Sequence, residues 1–426
     1  MRTKKIKETK PAEVQTTAPE NGSCVENLPE PPAMKTVYGD IEPEPEEEAA
    51  TESAFPEGFT AVDPITDAIV AGKKKDDETF EPVLLTLKVQ GVLQGLAIAN
   101  EVIQKSYMTI LECVNIEATE SGITMTATDL ESFWRRPLTG SGGPVARCIP
   151  AHVLLSEIRA LPAGTEDLEL LFKAHTVSVN GRCDIITQDA EEFPDIDIPQ
   201  FDGQMAAGML AAFRKVIPAV SKDSTRYSLC GVYVDFKEAK VVGTDGFRMH
   251  TEDFTPADPT MKPAIIPLKA AKIIARHGND MLGWMGNETR VYLPMQSGIF
   301  ATKPIEGTYP DWKAVKPNPS NTIIFDPAEF LKVIEGANAI SEKAGITLSV
   351  NGTLTIKSEG GSGTYKWEIA AESSHKGKKP LAYTFNSLFL ADAIKAFPKD
   401  RVTLQVPDSY GACLLNEKAV IMPIRL

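Results

Sequence analysis

The strongest constraint on the fold is a short turn sequence that occurs twice in the chain. The stretches "MTATDLESFW" and "VVGTDGFRMH" each place a Thr-Asp pair after a short apolar run, and the pairs are Thr128-Asp129 and Thr244-Asp245. The two pairs lie 116 positions apart. A second marker has the same offset, since "FPD" begins at Phe193 and "YPD" begins at Tyr309. Separate motifs that share one offset indicate an internal repeat.

A third marker extends the repeat to the end of the chain. The stretches "IPAHVLLSEIRALP", "IPLKAAKIIARHGN" and "FNSLFLADAIKAFP" start at Ile149, Ile266 and Phe385, and each combines the end of a strand with an amphipathic helix. Their offsets are 117 and 119 positions. We therefore expect three similar domains, residues 81–200, 201–318 and 319–426, called here the first, second and third repeats.

The local patterns within a repeat predict an α+β fold. Helical periodicity in "LKVQGVLQGLAIANEVIQK", "MAAGMLAAFRKVIPAVSKD" and "PAEFLKVIEGANAISEK" precedes alternating strands such as "ITLSVNGTLTIKS", in which Asn-Gly is a hairpin signal. We expect two helices in each repeat, each followed by strands. This order predicts antiparallel sheet on one side and helices on the other.

The first 80 residues have a different composition from the rest. They contain nine prolines, nine basic and eighteen acidic residues, with "EPEPEEEAATE" in the middle and no sustained apolar periodicity. Such a segment buries too little apolar surface to offset its chain entropy. We expect residues 1–80 to be a disordered acidic tail.

Charge and cysteine content exclude several classes of function. The net charge of -14 argues against a protein that coats nucleic acid with its whole surface, so any DNA contact must be local. The six cysteines show no CxxC spacing and no histidine cluster, and we expect no disulfide framework, no metal and no cofactor. Because no apolar run approaches membrane-spanning length, we expect a cytoplasmic protein without a membrane partner.

An enzyme is the least favoured alternative, in the form of a carboxylate-dependent hydrolase. Asp129, Asp245, His250, Glu252 and Asp253 are conceivable acid-base groups or metal ligands. A Thr-Asp pair at a strand end is more simply a turn cap, and the chain contains no P-loop, GxSxG or HExxH motif. We therefore expect no catalytic residues.

Several ordered stretches resemble one known family. "RYSLCGVYVDF", "VVGTDGFRMH", "FATKPIEGTYPDWKAVKP" and "VIMPIRL" are similar to the bacterial DNA polymerase III beta subunit, the replicative sliding clamp. The resemblance covers about residues 81–426 and is strongest in the second and third repeats. It implies a head-to-tail homodimeric ring with helices lining the hole and sheets outside, which encircles duplex DNA without reading its sequence. It also implies a processivity factor that tethers the polymerase catalytic subunit and is loaded by a separate clamp loader ATPase.

The resemblance implies a groove between the second and third repeats for short peptides of the polymerase and other partners. Apolar walls with a few polar groups suit a peptide with Leu and Phe anchors. Ala314, Ser228 and Phe247 depart from the residues common in the family, so the peptide preference is expected to differ. The groove residues are expected to be Leu229, Thr244, Gly246, Phe247, Arg248, Met249, Pro310, Val315, Val420, Met422, Pro423, Ile424 and Arg425.

A basic helix face is expected to meet DNA. Lys269, Lys272 and Arg276 are spaced i, i+3 and i+7, which places them on one face of a helix. Loose contacts between such side chains and phosphates are weak and salt-sensitive, which suits sliding. The further DNA candidates are Lys105, Arg159, Arg214, Lys215, Lys222 and Arg226.

Alignment with the family's interface segments nominates Cys183 and Ile185 of one chain against Ile340 of the other. Strand alternation puts Cys183 and Ile185 on one face. A repeat scaffold that binds peptides but never encircles DNA stays open as the main alternative. Retention that depends on DNA would separate the two.

Overall fold

The computed structural model describes residues 80–198 and 205–425, apart from positions 257, 279–280, 284, 287–288, 296–297, 341–344, 352 and 378–379. The predicted disordered tail lies outside these residues except for its last position, Phe80. Within the described ranges no helix is both long enough and apolar enough to cross a membrane.

In the first repeat the two α-helices are α1 (Val89–Val102) and α2 (Ala151–Arg159), and a 3₁₀ turn spans Thr109–Glu112. The strands of this repeat are β1 (Val83–Lys88), β2 (Cys113–Thr119), β3 (Gly122–Thr128), β4 (Ser132–Leu138), β5 (Gly140–Gly142), β6 (Val145–Pro150), β7 (Asp167–Phe172), β8 (Thr176–Val179), β9 (Cys183–Ile186) and β10 (Gln188–Asp189).

In the second repeat the helices are α3 (Met209–Val216) and α4 (Leu268–His277), with 3₁₀ turns at Ile217–Ala219 and Ser224–Leu229. Its strands are β11 (Met205–Ala207), β12 (Gly231–Asp235), β13 (Lys240–Thr244), β14 (Arg248–Asp253), β15 (Ala264–Pro267), β16 (Met281–Gly283), β17 (Met285–Gly286), β18 (Val291–Met295) and β19 (Gly298–Thr302).

In the third repeat the helices are α5 (Pro327–Ile340) and α6 (Ser387–Ala396). Its strands are β20 (Asn321–Phe325), β21 (Gly345–Asn351), β22 (Thr353–Gly360), β23 (Gly363–Ile369), β24 (Ala371–Ser373), β25 (Leu381–Asn386), β26 (Val402–Val406), β27 (Cys413–Leu415) and β28 (Ala419–Ile421).

The strands form antiparallel sheets, two of which pass from one repeat to the next. An eight-stranded sheet, β10-β6-β2-β3-β4-β19-β18-β17, joins the first and second repeats through β4 and β19. A nine-stranded sheet, β15-β12-β13-β14-β28-β27-β26-β20-β24, joins the second and third repeats through β14 and β28. The remaining sheets are β5-β1-β7-β8-β9, β23-β22-β21-β25 and the pair β11-β16. The predicted combination of helices with antiparallel sheet is confirmed.

The helices cover the sheets in the same way in each repeat. Helix α1 packs on β3 and β4, α3 on β13 and β14, and α5 on β22 and β23. In α4 the buried side chains Ala270, Ile273 and Ile274 fall on one helical stripe, which leaves the basic residues on the opposite side. Full burial of an Ile or Leu side chain stabilises a fold by about 1.5–3 kcal/mol. One apolar core extends through the first and second repeats, and a second core fills the third.

Candidate functional site

The two Thr-Asp pairs form the same hydrogen-bonded turn. In the second repeat, Asp245 Oδ1 accepts the N–H groups of Phe247 and Arg248, each at 2.9 Å, and the Thr244 hydroxyl donates to the Arg248 carbonyl oxygen at 2.6 Å. The pair in the first repeat makes the corresponding bonds to positions 131 and 132. Each pair therefore satisfies the backbone groups of its own turn, and the interpretation of both aspartates as turn caps is confirmed.

Each turn is also tied to a helix of the following repeat. Arg248 Nε lies 3.0 Å from Asp245 Oδ2, and its Nη1 lies 2.7 Å from Asp392 Oδ2 in α6. In the first repeat, Lys269 of α4 reaches Asp129 Oδ2 at 2.5 Å. The recurring turn thus stands at the joint between successive repeats.

A glycine in the second turn leaves room for an arginine. Gly246 has a φ of +87°, and Leu130 at the corresponding place in the first turn has a φ of +75°, so this backbone conformation alone does not require glycine. A Cβ at Gly246 would come within 2.6 Å of Arg226 Nη1. Arg226 donates to the Asp245 carbonyl oxygen at 2.9 Å and lies 5.3 Å from the centre of the Phe247 ring.

Beside this turn three of the predicted groove residues, Leu229, Met249 and Val420, belong to one apolar cluster. The cluster contains Leu229, Val242, Met249, Ile265, Ile305, Tyr309, Leu414 and Val420. The end of the chain is fixed against it, because the Met422 N–H donates to the Phe247 carbonyl oxygen at 2.9 Å and the Ile424 N–H donates to the Thr384 carbonyl oxygen at 2.6 Å. Pro423 is buried, and the Arg425 guanidinium lies 4.8 Å from the centre of the Tyr410 ring. Among the predicted groove residues, Phe247, Val315, Met422 and Ile424 have exposed apolar side chains, and Pro310 follows Tyr309 of the cluster.

Sequence reasoning missed three side chains of the same region. Tyr227, Leu388 and Tyr410 are 60%, 53% and 43% exposed. Tyr227 adjoins Ser228 and Leu229, Leu388 lies in the first turn of α6, and the Tyr410 hydroxyl donates to the Pro423 carbonyl oxygen. Tyr410 lies outside any strand or helix, so hydrophobic periodicity gives no signal for it.

The basic residues of α4 have different surroundings. Lys269 donates to the Val102 carbonyl oxygen at 2.5 Å in addition to its contact with Asp129, and its side chain is 28% exposed. Arg276 pairs with Glu101 of α1 at 2.7 Å, whereas Lys272 is exposed. Lys272 and Arg276 are therefore exposed on this face, although Arg276 is also ion-paired, whereas Lys269 is largely enclosed by its contacts with the first repeat. Contact of this face with DNA stays a prediction. The helical spacing could not show that carboxylates of the first repeat lie across from this face.

The other DNA candidates also divide into two groups. Lys215 is ion-paired with Glu252 at 2.8 Å, and Arg226 lies against Phe247 at the groove. Arg226 therefore lies at the Thr-Asp turn, where it donates to the Asp245 carbonyl oxygen, and its expected contact with DNA stays a prediction. Lys105, Arg159, Arg214 and Lys222 are exposed.

Two of the three interface candidates, Cys183 and Ile185, lie on β9 at the end of a sheet. Cys183 and Ile185 share one face of β9, as alternation predicted, but Ile185 is only 5% exposed and belongs to the core. The expectation of an exposed contact is therefore corrected for Ile185, since its face is the one that the helices cover. Ile186, on the opposite face, is 74% exposed. Ile340 is half-buried at the end of α5.

The acid-base candidates have structural partners. His250 is fully buried, its Nδ1–H donates to the Lys215 carbonyl oxygen at 2.8 Å, and burial lowers its pKa to about 4. Glu252 and Asp253 both pair with Lys418. In the part of the chain that the structure describes, no group of three His, Cys, Asp or Glu side chains is placed to hold a metal ion.

Comparison with known proteins gives one consistent result. Residues 207–311 match the family model of the DNA polymerase III beta subunit central domain, and residues 314–425 match that of its C-terminal domain. The beta sliding clamp of Rickettsia bellii is 23% identical over 386 residues, which cover 80% of this chain and 99% of the relative. That of Bacillus subtilis is 23% identical over 393 residues, 82% and 99% of the two chains.

Solved structures show the same fold. The DNA polymerase III beta subunit of Thermotoga maritima has a TM-score of 0.73 at 20% identity, and the beta sliding clamp of Caulobacter crescentus has 0.74 at 21%. Each comparison covers 81% of this chain and 100% of the other. The two matched family models span more than half of the sequence. This chain therefore belongs to the bacterial DNA polymerase III beta subunit family, the DNA sliding clamps.

Proposed function

We propose that this sliding clamp acts as a ring of two copies, each contributing three domains that correspond to the three repeats. The ring encircles duplex DNA in the cytoplasm and holds the polymerase on it, without catalytic activity of its own. A separate clamp loader ATPase opens and places the ring. The observation that carries this proposal is a strand pairing that recurs at both joints between repeats.

The two joints use the same register. At the first joint Phe133 of β4 lies opposite Ala301 of β19, and at the second Met249 of β14 lies opposite Val420 of β28. Phe133 and Met249 each follow their Thr-Asp turn by the same number of residues. In both joints, a strand of one repeat continues the sheet of the next.

Two further strands, β23 and β9, each stand at the end of a sheet and pair with only one neighbouring strand in the described chain. Strand β23 ends the sheet β23-β22-β21-β25, and β9 ends the sheet β5-β1-β7-β8-β9. By the register of the two joints, β23 of one copy would pair with β9 of the other, with Thr364 opposite Asp184. Head-to-tail pairing of this kind leaves neither β9 nor β23 with an open edge once the rotations close, and two copies supply six similar joints. Ile340 and Cys183 lie near this contact in the proposal, and Ile186 replaces Ile185 as the exposed apolar side chain.

DNA is proposed to pass along the helices. Lys105, Arg159, Arg214, Lys222 and Lys272 are exposed, and Lys272 is on the face of α4 opposite its buried stripe. Arg159, Arg214 and Lys272 lie on helices, and Lys105 and Lys222 lie in connecting segments. Flexible lysines and arginines meet phosphates without reading base edges. This supports contact with duplex DNA that is independent of sequence and weakened by salt.

The groove between the second and third repeats is proposed to hold peptides of the polymerase and of other clamp-binding proteins. Its exposed apolar side chains are large, and Arg226 and Arg425 stack on the neighbouring aromatic rings. Replacing Met422 by Ala should reduce the affinity for a Leu- and Phe-containing polymerase peptide by about 1–3 kcal/mol, as loss of an apolar hot spot does. Fluorescence anisotropy measures this change. Leu84→Ala, at an exposed leucine on β1, is the matched control, and equal losses in the two variants would contradict the assignment.

The whole proposal is tested by retention on DNA. After loading by a clamp loader onto a nicked circular plasmid, the protein should stay bound during gel filtration and should be lost when the plasmid is cut once. A peptide-binding scaffold that does not encircle DNA would show the same retention on circular and linear plasmids. That outcome would contradict the proposed ring but not the proposed peptide groove.

A further inference from the structure

Two hairpins in the chain have the same turn. Between β8 and β9, Asn180 and Gly181 have φ values of 49° and 64°, and between β27 and β28, positions 416 and 417 have values of 50° and 64°. In both hairpins the asparagine Oδ1 accepts a backbone N–H from the strand that neighbours the hairpin, Glu169 of β7 at 3.0 Å and Thr403 of β26 at 2.9 Å. A basic residue follows each turn, Arg182 in the first repeat and Lys418 in the third. Arg182 therefore holds the position of Lys418.

Lys418 fastens the third repeat to the second. Its Nζ lies 3.0 Å from Glu252 Oε1 and also pairs with Asp253. Its carbonyl oxygen accepts the Thr251 N–H at 2.9 Å. These contacts extend the pairing of β28 with β14 by one residue.

The strand β23 is the counterpart of β14 in the third repeat. Val232 lies opposite Ile266 just before α4, as Ile346 lies opposite Phe385 just before α6. Two residues further along, Val234 lies opposite Val241, which lies opposite Glu252. In the third repeat, Leu348 lies opposite Ile356, which lies opposite Trp367. Trp367 and Glu368 thus hold the positions of Glu252 and Asp253.

Both side chains are exposed in the single chain. Trp367 is 52% exposed on the end strand of its sheet, and the Glu368 side chain is 50% exposed and pairs with Lys366 at 2.9 Å. Arg182 is also exposed, and its Nη1 donates to the Ala160 carbonyl oxygen at 3.2 Å. That bond holds the arginine side chain near one orientation, which reduces the entropy lost when it binds a partner.

We propose that Arg182 of one copy stacks on the Trp367 indole of the second copy and pairs with the Glu368 carboxylate there. The inference rests on the proposed ring and adds one side-chain contact that stabilises the interface between its two copies. At the joint between the second and third repeats, Lys418 lies between the carboxylates of Glu252 and Asp253. At the proposed contact between copies, Arg182 meets an indole and one carboxylate. Arginine suits the second arrangement because its planar guanidinium stacks on an aromatic face while its edge donates to a carboxylate.

The test is the dimer dissociation constant of the full chain, measured by sedimentation or light scattering over a concentration series. Arg182→Glu should raise it about tenfold at each contact and about a hundredfold for a ring with two contacts. Trp367→Lys should act similarly, whereas Trp367→Glu should retain the dimer because it restores the Lys418-Glu252 arrangement. Arg182→Glu combined with Trp367→Lys should recover most of the loss. Arg401→Glu, which removes an exposed ion pair with Glu372 in the third repeat, is the matched control.

The outcomes separate this contact from the ring itself. If the parent chain and all variants dimerise equally, the contact is refuted and the ring stands. If single variants weaken the dimer but the double variant does not recover, the two side chains share an interface without touching, and the stacking is refuted. A parent chain that stays monomeric at every concentration overturns the proposed ring and this contact together. Thermal melting of each variant, unchanged from the parent, establishes that weak dimers are not unfolded chains.

Discussion

At the scale of single residues, Asp245 holds its turn with both carboxylate oxygens. Oδ1 accepts two backbone N–H groups, and Oδ2 pairs with Arg248, whose side chain is only 11% exposed. Asp245→Asn keeps an acceptor for the backbone but loses the charge opposite Arg248, so we expect a loss of about 1–2 kcal/mol in the free energy of unfolding. Urea denaturation measures it. Asp311→Asn, in an exposed turn with one bond to the Lys313 N–H, should change stability much less.

His250 makes stability depend on pH. Its Nε2 is buried without a hydrogen-bond partner, so protonation would place an unpaired charge in the core. The nearby charge of Arg248 also lowers the His250 pKa, and that of Asp392 raises it. Burial lowers the folded-state pKa from 6.5 to about 4. The unfolded chain therefore binds a proton first as pH falls, and stability present above pH 6.5 is lost between about 6.5 and 4, by about 3 kcal/mol. His250→Gln should flatten this part of the stability curve. An unchanged slope would show that other groups set it.

Local chemistry made some of these residues predictable from sequence. A Thr-Asp pair after an alternating strand has few roles other than capping, and both turns fulfilled that prediction. The contact of Lys269 with Asp129 was not predictable, because the two residues are 140 positions apart and no local pattern connects them. The contact of Arg226 with Phe247 was not predictable for the same reason, since no local pattern connects the 3₁₀ turn of Arg226 with the Thr-Asp turn.

At the scale of elements, the two strands β9 and β23 can be tested for pairing directly. The register of the inner joints, in which His250 lies opposite Ala419, sets Tyr365 opposite the Cys183 of a second copy. Directly opposed residues in antiparallel strands have Cα atoms about 4.5–5.5 Å apart, which is within the range of a disulfide. Tyr365→Cys should therefore form a disulfide-linked dimer on mild oxidation, seen on a non-reducing gel. Lys366→Cys, which points to the other face, and Tyr365→Cys with Cys183→Ser should not, and a linked dimer in either control would show a different register.

The internal repeat determines how much of the architecture could be predicted from the sequence. Offsets between motifs predicted equivalent elements, and helical and alternating periods predicted their types. Periodicity also predicted that Cys183 and Ile185 share a face, but both faces of β9 carry an isoleucine, and only packing shows that Ile185 is inside and Ile186 outside. The pairing of β4 with β19 was likewise not predictable, since no local sequence pattern in either strand identifies its partner.

At the scale of the whole molecule, basic side chains have two uses that sequence spacing cannot separate. Lys269 and Arg276 connect α4 to the first repeat, while Lys272 between them is exposed. A joint that depends on charges also weakens when they are reversed. Substitutions on one helix face should therefore divide into those that lower stability and those that lower DNA retention.

Lys269→Glu and Lys272→Glu make that comparison. Lys269→Glu sets a carboxylate against Asp129 and leaves the Val102 carbonyl oxygen without its donor, so its melting temperature should fall. Lys272→Glu should leave melting unchanged and shorten the lifetime of the loaded clamp on circular DNA, because a negative charge then faces phosphates. Each lost phosphate contact lowers the salt slope of binding by about 1, and a ring carries the substitution twice, so the slope should fall by about 2. Equal melting temperatures for both variants, with equal retention on DNA, would show that α4 neither joins the repeats nor approaches the duplex.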